Sequence, residues 1–144
     1  MVEPVIFLTE APGDEAHRVI VEGLANHGVE QAGYWNARPL AVLARDPSSR
    51  QILGGFLGRT SLGNWFVELA FLPEHLRRRG LGSRMLSIAE TEAIARGCHS
   101  GVLYTISFQA PDFYERHGWR EFGRVPCDPP GTSRVFMTKV LTAD

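Results

Sequence analysis

The chain has 144 residues, of which 44% are hydrophobic and 22% charged, and its formal net charge at pH 7 is −1. This length and composition predict one soluble globular domain over residues 1–144, with a core large enough to be stable. The near-neutral charge gives no support for binding to nucleic acid or to a membrane, and no apolar run is long enough to span a bilayer. Its two cysteines lack metal-ligand spacing, which favours free thiols in a reducing cytoplasm and no metal site.

The first third of the chain predicts one strand and one helix. Residues 4–9 form an apolar run typical of a strand. Apolar residues at helical spacing predict a helix over residues 15–26. The mixed, glycine-containing segment 27–38 leaves room for a second short helix.

Three predicted strands and a helix follow in the middle of the chain. Residues 39–45, 51–60 and 65–72 are separated by turn residues, which predicts an antiparallel meander. Residues 82–96 then carry the apolar stripe of a helix that ends at Gly97. Since that helix connects residues 65–72 to the next predicted strand, 101–107, these two strands should be parallel neighbours.

The last part of the chain predicts a short helix and two strands. Pro111 suits the first turn of the helix and Gly118 its end. Residues 119–125 and 134–140 are the two strands. The whole order predicts an α/β fold: a single mixed, mostly antiparallel sheet of about seven strands with helices on both faces.

A basic turn between strand 65–72 and helix 82–96 carries the strongest chemical signal. Arg77, Arg78 and Arg79 supply forked cationic donors, and Gly80 and Gly82 allow the backbone to approach a ligand closely. A helix N-terminus at such a turn binds phosphate groups. The turn lacks the Lys of a Walker A loop and the third glycine of a Rossmann fingerprint.

The pattern Arg77-x-x-Gly80-x-Gly82 resembles the acyl-CoA pyrophosphate loop of the GNAT superfamily of N-acetyltransferases. A second stretch, Ser107-Phe-Gln-Ala-Pro-Asp-Phe-Tyr-Glu-Arg-His-Gly-Trp119, looks like the other signature of this family. With the strand order, the resemblance covers essentially the whole chain. It implies a GNAT-like fold, a splayed parallel strand pair at a central cofactor cleft, and acetyl-CoA as co-substrate.

The resemblance also implies which residues contact the cofactor. Its diphosphate would lie on the amides of the basic turn, and its pantetheine arm would pair with a strand end like an added strand. The family often has Asn at the position of Ser107. The implied contacts are Phe71, Leu72, Arg77, Arg78, Arg79, Gly80, Leu81, Gly82, Ser83, Ser107, Ala110 and Phe113.

Two residues are candidates for proton transfer. Tyr114 stands where the family has its general-acid tyrosine, which would protonate the departing CoA thiolate; the alternative is that Phe113 and Tyr114 are core aromatics. Glu68 is the candidate general base, because a carboxylate in an otherwise apolar strand needs a wet cleft or a partner. A structural ion pair is the alternative for Glu68. A backbone N–H near Phe71 or Leu72 could stabilise the reacting carbonyl oxygen.

The acceptor is the least defined part of the prediction. By resemblance, its pocket lies between segment 27–38, strand 65–72 and loop 126–132. Side chains there that could hold an ammonium, by cation–π contact or by charge, are Tyr34, Trp35, Trp65 and Asp128. For each of them an ordinary surface or core role is the alternative.

The sequence therefore predicts an acetyl-CoA-dependent N-acetyltransferase. The amine of a small molecule would attack the thioester directly. Three alternatives stay open: acetylation of a protein amine, a GNAT-fold acyl-CoA-binding or sensor module without catalysis, and a nucleotide-binding protein that uses the same basic turn. The sequence also leaves open whether two chains form a homodimer.

Overall fold

The computed structural model describes residues 2–142 and divides the chain into two compact units, one ending at Trp35 and the other beginning at Asn36. The prediction of one domain over residues 1–144 stays a prediction. The N-terminal unit contains one helix, α1 (Gly13–Ala32), with Asp14 and Glu15 in its first turn, where the helix dipole favours acidic groups. The helix ends at Gly33, whose φ of 86° gives the left-handed C-cap conformation. It therefore includes both the predicted helix and the first half of segment 27–38.

The predicted N-terminal strand is wrong. Residues 4–9 have no regular secondary structure and are exposed. A strand needs a neighbour that accepts and donates its backbone hydrogen bonds, and no described strand pairs with this segment. Apolar composition alone therefore does not make residues 4–9 a strand.

The C-terminal unit is built on one six-stranded sheet. Its strands are β1 (Arg38–Arg45), β2 (Ile52–Ser61), β3 (Asn64–Phe71), β4 (Ser100–Ile106), β5 (Arg120–Cys127) and β6 (Thr132–Val140). Their order in the sheet is β1-β2-β3-β4-β6-β5. Every neighbouring pair is antiparallel except β3 and β4, which are parallel and joined through helix α2 (Leu81–Ala95). The predicted mixed α/β fold with a parallel pair is confirmed, with six strands rather than seven.

The core of this unit lies on one face of the sheet. Alternate residues of the strands point to it, and α2 packs there against β1 and β2. A short helix, α3 (Pro111–Arg116), contributes Tyr114 to the same cluster. Trp65 is only 1% exposed, and its ring meets Trp119 edge-on with 5.6 Å between centroids. A Cβ at Gly101 would lie 2.5 Å from the Trp119 ring, so this pair requires glycine there.

Two irregularities in β3 shape the site. β3 pairs with β4 only as far as Val67 and Leu103. On its other side, Leu57 of β2 pairs with Leu69, whereas Gly58 pairs with Val67. Glu68 is therefore the unpaired extra residue of a β-bulge, a feature that bends a strand. Beyond this bulge, β3 and β4 are no longer hydrogen-bonded to each other.

Candidate active site

A cavity of about 160 Å³ lies where β3 and β4 stop pairing. Glu68 comes from the bulge in β3, and Tyr114 comes from α3, yet both line this cavity. The fold thus brings together the two residues that were predicted to transfer protons. The complete lining is Val67, Glu68, Leu69, Ala70, Tyr104, Thr105, Ile106, Gln109 and Tyr114.

Tyr114 is both a core residue and a cavity residue. Its side chain is 6% exposed, and its ring lies edge-on to Phe113 at 5.1 Å and to Trp119 at 6.0 Å. Burial raises the pKa of Tyr114 to about 12, because the tyrosinate anion is poorly solvated there. The hydroxyl makes no hydrogen bond to any residue in the described range 2–142. At neutral pH it is a protonated donor on a residue that lines the cavity.

Glu68 has a charged partner. Its Oε1 lies 3.2 Å from Nη1 of Arg59, and both side chains are about half exposed, at 49% and 46%. The Arg59 guanidinium in turn lies 4.3 Å from the centroid of the Phe66 ring, a cation–π contact. The ion pair that was the alternative interpretation of Glu68 is therefore present, on a carboxylate that also lines the cavity.

The basic turn is held by its own first arginine. Nε of Arg77 donates to the Leu72 carbonyl at 2.8 Å, which ties the turn back to the end of β3. The side chains of Arg78 and Arg79 are exposed and, within residues 2–142, have no hydrogen bond or ion pair. Gly80 has a φ of 78° as the N-cap of α2, a left-handed conformation that glycine adopts without a Cβ penalty.

The first turn of α2 presents free amides. The N–H of Arg84 is the first to bond back, to the Gly80 carbonyl at 3.1 Å. The amides of Leu81, Gly82 and Ser83 precede it and have no carbonyl to bind within the helix. They lie at the positive end of the helix dipole, and a Cβ at Gly82 would lie 3.4 Å from the Phe113 ring. These residues fit the diphosphate of CoA, since bare amides and glycine backbone leave room for phosphate oxygens.

The other predicted cofactor residues come from the end of β3 and from the segment between β4 and α3, and Leu72 lies next to Gly82. Phe71 is exposed at the end of β3, and Leu72 packs partly against the core. Ser107 is bonded to Ser133 twice: its N–H donates to the Ser133 carbonyl at 2.8 Å, and its Oγ accepts from the Ser133 N–H at 3.0 Å. Because the Ser107 Oγ acts as an acceptor in this contact, its hydroxyl hydrogen is left to bind a ligand. Ala110 precedes α3 and is partly buried against the core.

The predicted acceptor residues of the C-terminal unit, Trp65 and Asp128, do not line this cavity. Trp65 was predicted to line the acceptor pocket, and that prediction is wrong, because its ring is buried in the core. Asp128 is exposed in the turn between β5 and β6 and does not line the cavity. Tyr34 and Trp35 belong to the N-terminal unit, where the Trp35 ring lies so close to Gly28 that a Cβ there would be 2.2 Å away.

A groove on the opposite face of the sheet was not predicted from the sequence. It has a volume of about 580 Å³ and shares four lining residues with the smaller cavity: Val67, Glu68, Leu69 and Tyr104. Its other lining residues are Leu57, Gly58, Arg59, Phe66, Val102, Leu103 and Phe136. Strand alternation alone places Phe66 and Glu68 on the face opposite Trp65. The sequence therefore contained the information that these two residues lie on the face that carries the groove.

Comparison with known proteins decides the family. Residues 30–121 match the family model described as acetyltransferase (GNAT) domain. The chain belongs to the GNAT acetyltransferase family. An acetyltransferase of Agrobacterium fabrum (strain C58) is 30% identical to it over 132 residues, which is 92% of this chain and 96% of that protein.

Two further similarities extend this result. A blasticidin-S acetyltransferase of Streptomyces morookaense is 35% identical to the GNAT chain over 108 residues, covering 73% of the chain and 79% of that protein. A crystal structure of an acetyltransferase from Agrobacterium tumefaciens superimposes with a TM-score of 0.84 at 28% identity, covering 95% and 99% of the two chains. The predicted family is confirmed, as is acetyl-CoA as the co-substrate of the family.

Three further sequence predictions concern the metal site, the membrane and the cysteines. No group of metal-binding side chains occurs among residues 2–142. In the same range, none of the helices has the length and apolar character needed to cross a bilayer. Cys98 and Cys127 are free thiols, as predicted, and burial raises the pKa of the Cys98 thiol.

Proposed function

We propose that this GNAT protein transfers the acetyl group of acetyl-CoA to the amine of a small molecule. One observation carries the proposal: a carboxylate and a protonated tyrosine, Glu68 and Tyr114, line one cavity at the split between β3 and β4. The cavity follows directly on the last paired residues of the two strands. Such a pair can take a proton from an amine and supply one to a leaving group.

The cofactor is held by the basic turn and by the open edge of β3. The amides of Leu81, Gly82 and Ser83 receive the diphosphate, and Arg78 and Arg79 add charge. Arg77, fixed to the Leu72 carbonyl, keeps the turn in shape. Acetyl-CoA supplies an activated thioester, whose pantetheine arm pairs with unpaired backbone of β3 near Phe71 and Leu72. Ser107, Ala110 and Phe113 border this arm.

Glu68 is proposed as the proton acceptor. A primary amine has a pKa of about 10.4 in lysine, so it arrives protonated and must lose a proton to attack the thioester carbonyl carbon. The half-exposed Glu68 carboxylate takes that proton, directly or through a water molecule. Arg59 holds the carboxylate from the side of the groove. As the amine nitrogen bonds to carbon, a backbone N–H at the end of β3 stabilises the carbonyl oxygen.

Tyr114 is proposed as the donor to sulfur. When the carbon–sulfur bond breaks, the negative charge moves to the CoA sulfur. The Tyr114 pKa of about 12 lies above that of a thiol, about 8.5. Tyr114 therefore stabilises the departing sulfur mainly as a hydrogen-bond donor, and any proton that it releases is recovered at once.

The acceptor is proposed to be a small amine that enters from the groove. The groove shares Glu68 with the cavity, and it is walled by aromatic residues, Phe66, Tyr104 and Phe136, that can contact an ammonium. The blasticidin-S acetyltransferase among the relatives supports this substrate class. Trp65 has no part in the acceptor site.

An acceptor screen tests this function. Purified protein and acetyl-CoA are mixed with a panel of amines that includes blasticidin S, amino sugars, free amino acids and a short peptide, and free thiol is measured. We expect thiol release that depends on a small-molecule amine. Release only with the peptide would move the function to protein acetylation. No release with any amine, while CoA binds by calorimetry, would contradict catalysis and favour a binding module.

A further inference from the structure

A hydrogen bond joins the first turn of α2 to the end of α3. The Ser83 hydroxyl and Nε2 of His117 lie 2.9 Å apart, and both residues are half-buried. Ser83 carries one of the free amides at the helix N-terminus. His117 has no part in the proton transfers described above. The contact therefore connects a residue outside the reaction to the surface on which the diphosphate is proposed to lie.

The position of His117 is fixed by its surroundings. Its backbone N–H donates to the Tyr114 carbonyl at 2.9 Å, which closes the last turn of α3. Its ring lies 4.9 Å from that of Phe113. The Phe113 ring is in turn the neighbour that a Cβ at Gly82 would meet, at 3.4 Å. His117 and Phe113 thus form a wall behind the amides of the α2 N-terminus.

The chemistry of phosphate sets the direction of the Ser83–His117 hydrogen bond. Phosphate oxygens only accept hydrogen bonds, so a serine hydroxyl binds them by donating its hydrogen. The Ser83 hydroxyl has one hydrogen, and it cannot be given to His117 and to a phosphate at the same time. The Ser83 hydroxyl can therefore donate a hydrogen bond to a phosphate only if Nε2 of His117 is protonated and donates a hydrogen bond to Ser83 Oγ.

We propose that His117 is a positioning residue for the diphosphate of acetyl-CoA: Nε2–H donates to Ser83 Oγ and turns the Ser83 hydroxyl hydrogen toward a phosphate oxygen. This inference rests on the proposed function, since it requires that the diphosphate lie at the N-terminus of α2. It assigns to Ser83 a side-chain contact in addition to its amide. It also explains why a polar ring occupies the end of α3 next to Phe113.

Matched variants separate the hydrogen bond from the packing. His117→Phe keeps an aromatic ring against Phe113 and removes the donor, whereas His117→Gln loses the ring and keeps an N–H near the place of Nε2. Ser83→Ala removes the hydroxyl. CoA affinity is measured by calorimetry for each variant and for the Ser83→Ala/His117→Phe double variant.

We expect His117→Phe and Ser83→Ala each to weaken CoA binding about 3- to 10-fold, the range for a single hydrogen bond. The double variant should be no weaker than Ser83→Ala, because both changes remove one contact. His117→Gln should bind within about twofold of the wild type. Unchanged CoA affinity in His117→Phe, or losses that multiply in the double variant, would overturn the proposal.

Two further measurements exclude a merely structural role. Ring ¹⁵N NMR of His117 in the CoA complex should show the proton on Nε2, and a bare Nε2 would refute the assignment. With S-acetylpantetheine, which lacks the diphosphate, His117→Phe should match the wild type in kcat/KM, whereas with acetyl-CoA it should raise KM at unchanged kcat. Equal losses with both donors would contradict the inference. Failure of the wild-type protein to bind CoA would instead refute the proposed function itself.

Discussion

Val67 of β3 and Leu103 of β4 are the last paired residues of the parallel strands, and the candidate active site opens directly beyond them. The next residue of β3, Glu68, is the extra residue of a bulge against β2. Because a bulge bends its strand, the same feature that ends the pairing also brings a carboxylate to the cavity. The position of the site is thus a consequence of strand register.

Substitution at the helix N-terminus should remove cofactor binding. We expect Gly82→Trp to abolish CoA binding, because a large side chain would cover the amides of Leu81–Ser83 next to the Phe113 ring. Calorimetry with CoA measures this. Gly123→Trp is the matched control, since no atom lies within 4 Å of a Cβ at Gly123. Retained CoA affinity in Gly82→Trp would refute the assignment of the basic turn.

Two variants separate catalysis by Glu68 from its ion pair. Glu68→Gln should lower kcat about 100-fold, as expected for loss of a general base. Arg59→Gln breaks the same pair but keeps the carboxylate, so it should change kcat far less. Both should alter the free energy of unfolding by less than about 1 kcal/mol, because the pair is half exposed. Equal small effects on kcat would assign Glu68 a structural role only.

Stability at high pH should report the burial of Tyr114. Its pKa is raised from 10.0 to about 12, so above pH 10 the unfolded chain loses this proton before the folded chain does. The contribution of Tyr114 to stability is therefore full below pH 10 and falls as pH rises toward 12, by about 2 kcal/mol. Denaturant unfolding at pH 8 to 11.5 should show a steeper loss for wild type than for Tyr114→Phe. Parallel curves would mean that the phenol is solvated.

Trp65 should matter for folding and not for the acceptor. Its ring is 1% exposed and packs on Trp119, so Trp65→Ala should cost about 3–5 kcal/mol in unfolding free energy. Trp65→Phe should recover much of this loss and leave the KM for the acceptor amine unchanged. A change in acceptor KM without loss of stability would restore Trp65 to the acceptor site.

Local sequence signals predicted most of the fold. Apolar runs bounded by turn residues placed the six strands close to their observed bounds, and the helix between residues 65–72 and 101–107 correctly implied a parallel pair. The prediction of a strand at residues 4–9 was wrong because a strand also depends on a partner. The prediction of an acceptor role for Trp65 was wrong because residue type does not tell which face of a strand a side chain occupies. Trp65 and Val67 are two residues apart and therefore lie on the same face of β3, which is the core face.

Local patterns in the sequence point to several residues of the candidate site, but they do not give its geometry. The glycines and arginines of the basic turn, and the Phe113-Tyr114 pair, are recognisable as local patterns. The bulge at Glu68 and its partner Arg59 are not, because both depend on the register between β2 and β3. The contact between Ser83 and His117 joins two helices that are distant in sequence, and no spacing rule predicts it.

The most direct test of the account is turnover by Tyr114→Phe with an amine identified in the acceptor screen. The substitution removes one hydroxyl from the cavity and keeps the ring that packs in the core. We predict a loss of about 100-fold in the rate of thiol release at saturating substrates, with CoA affinity unchanged. A rate equal to that of the wild type would contradict the assignment of acetyl transfer to the cavity between β3 and β4.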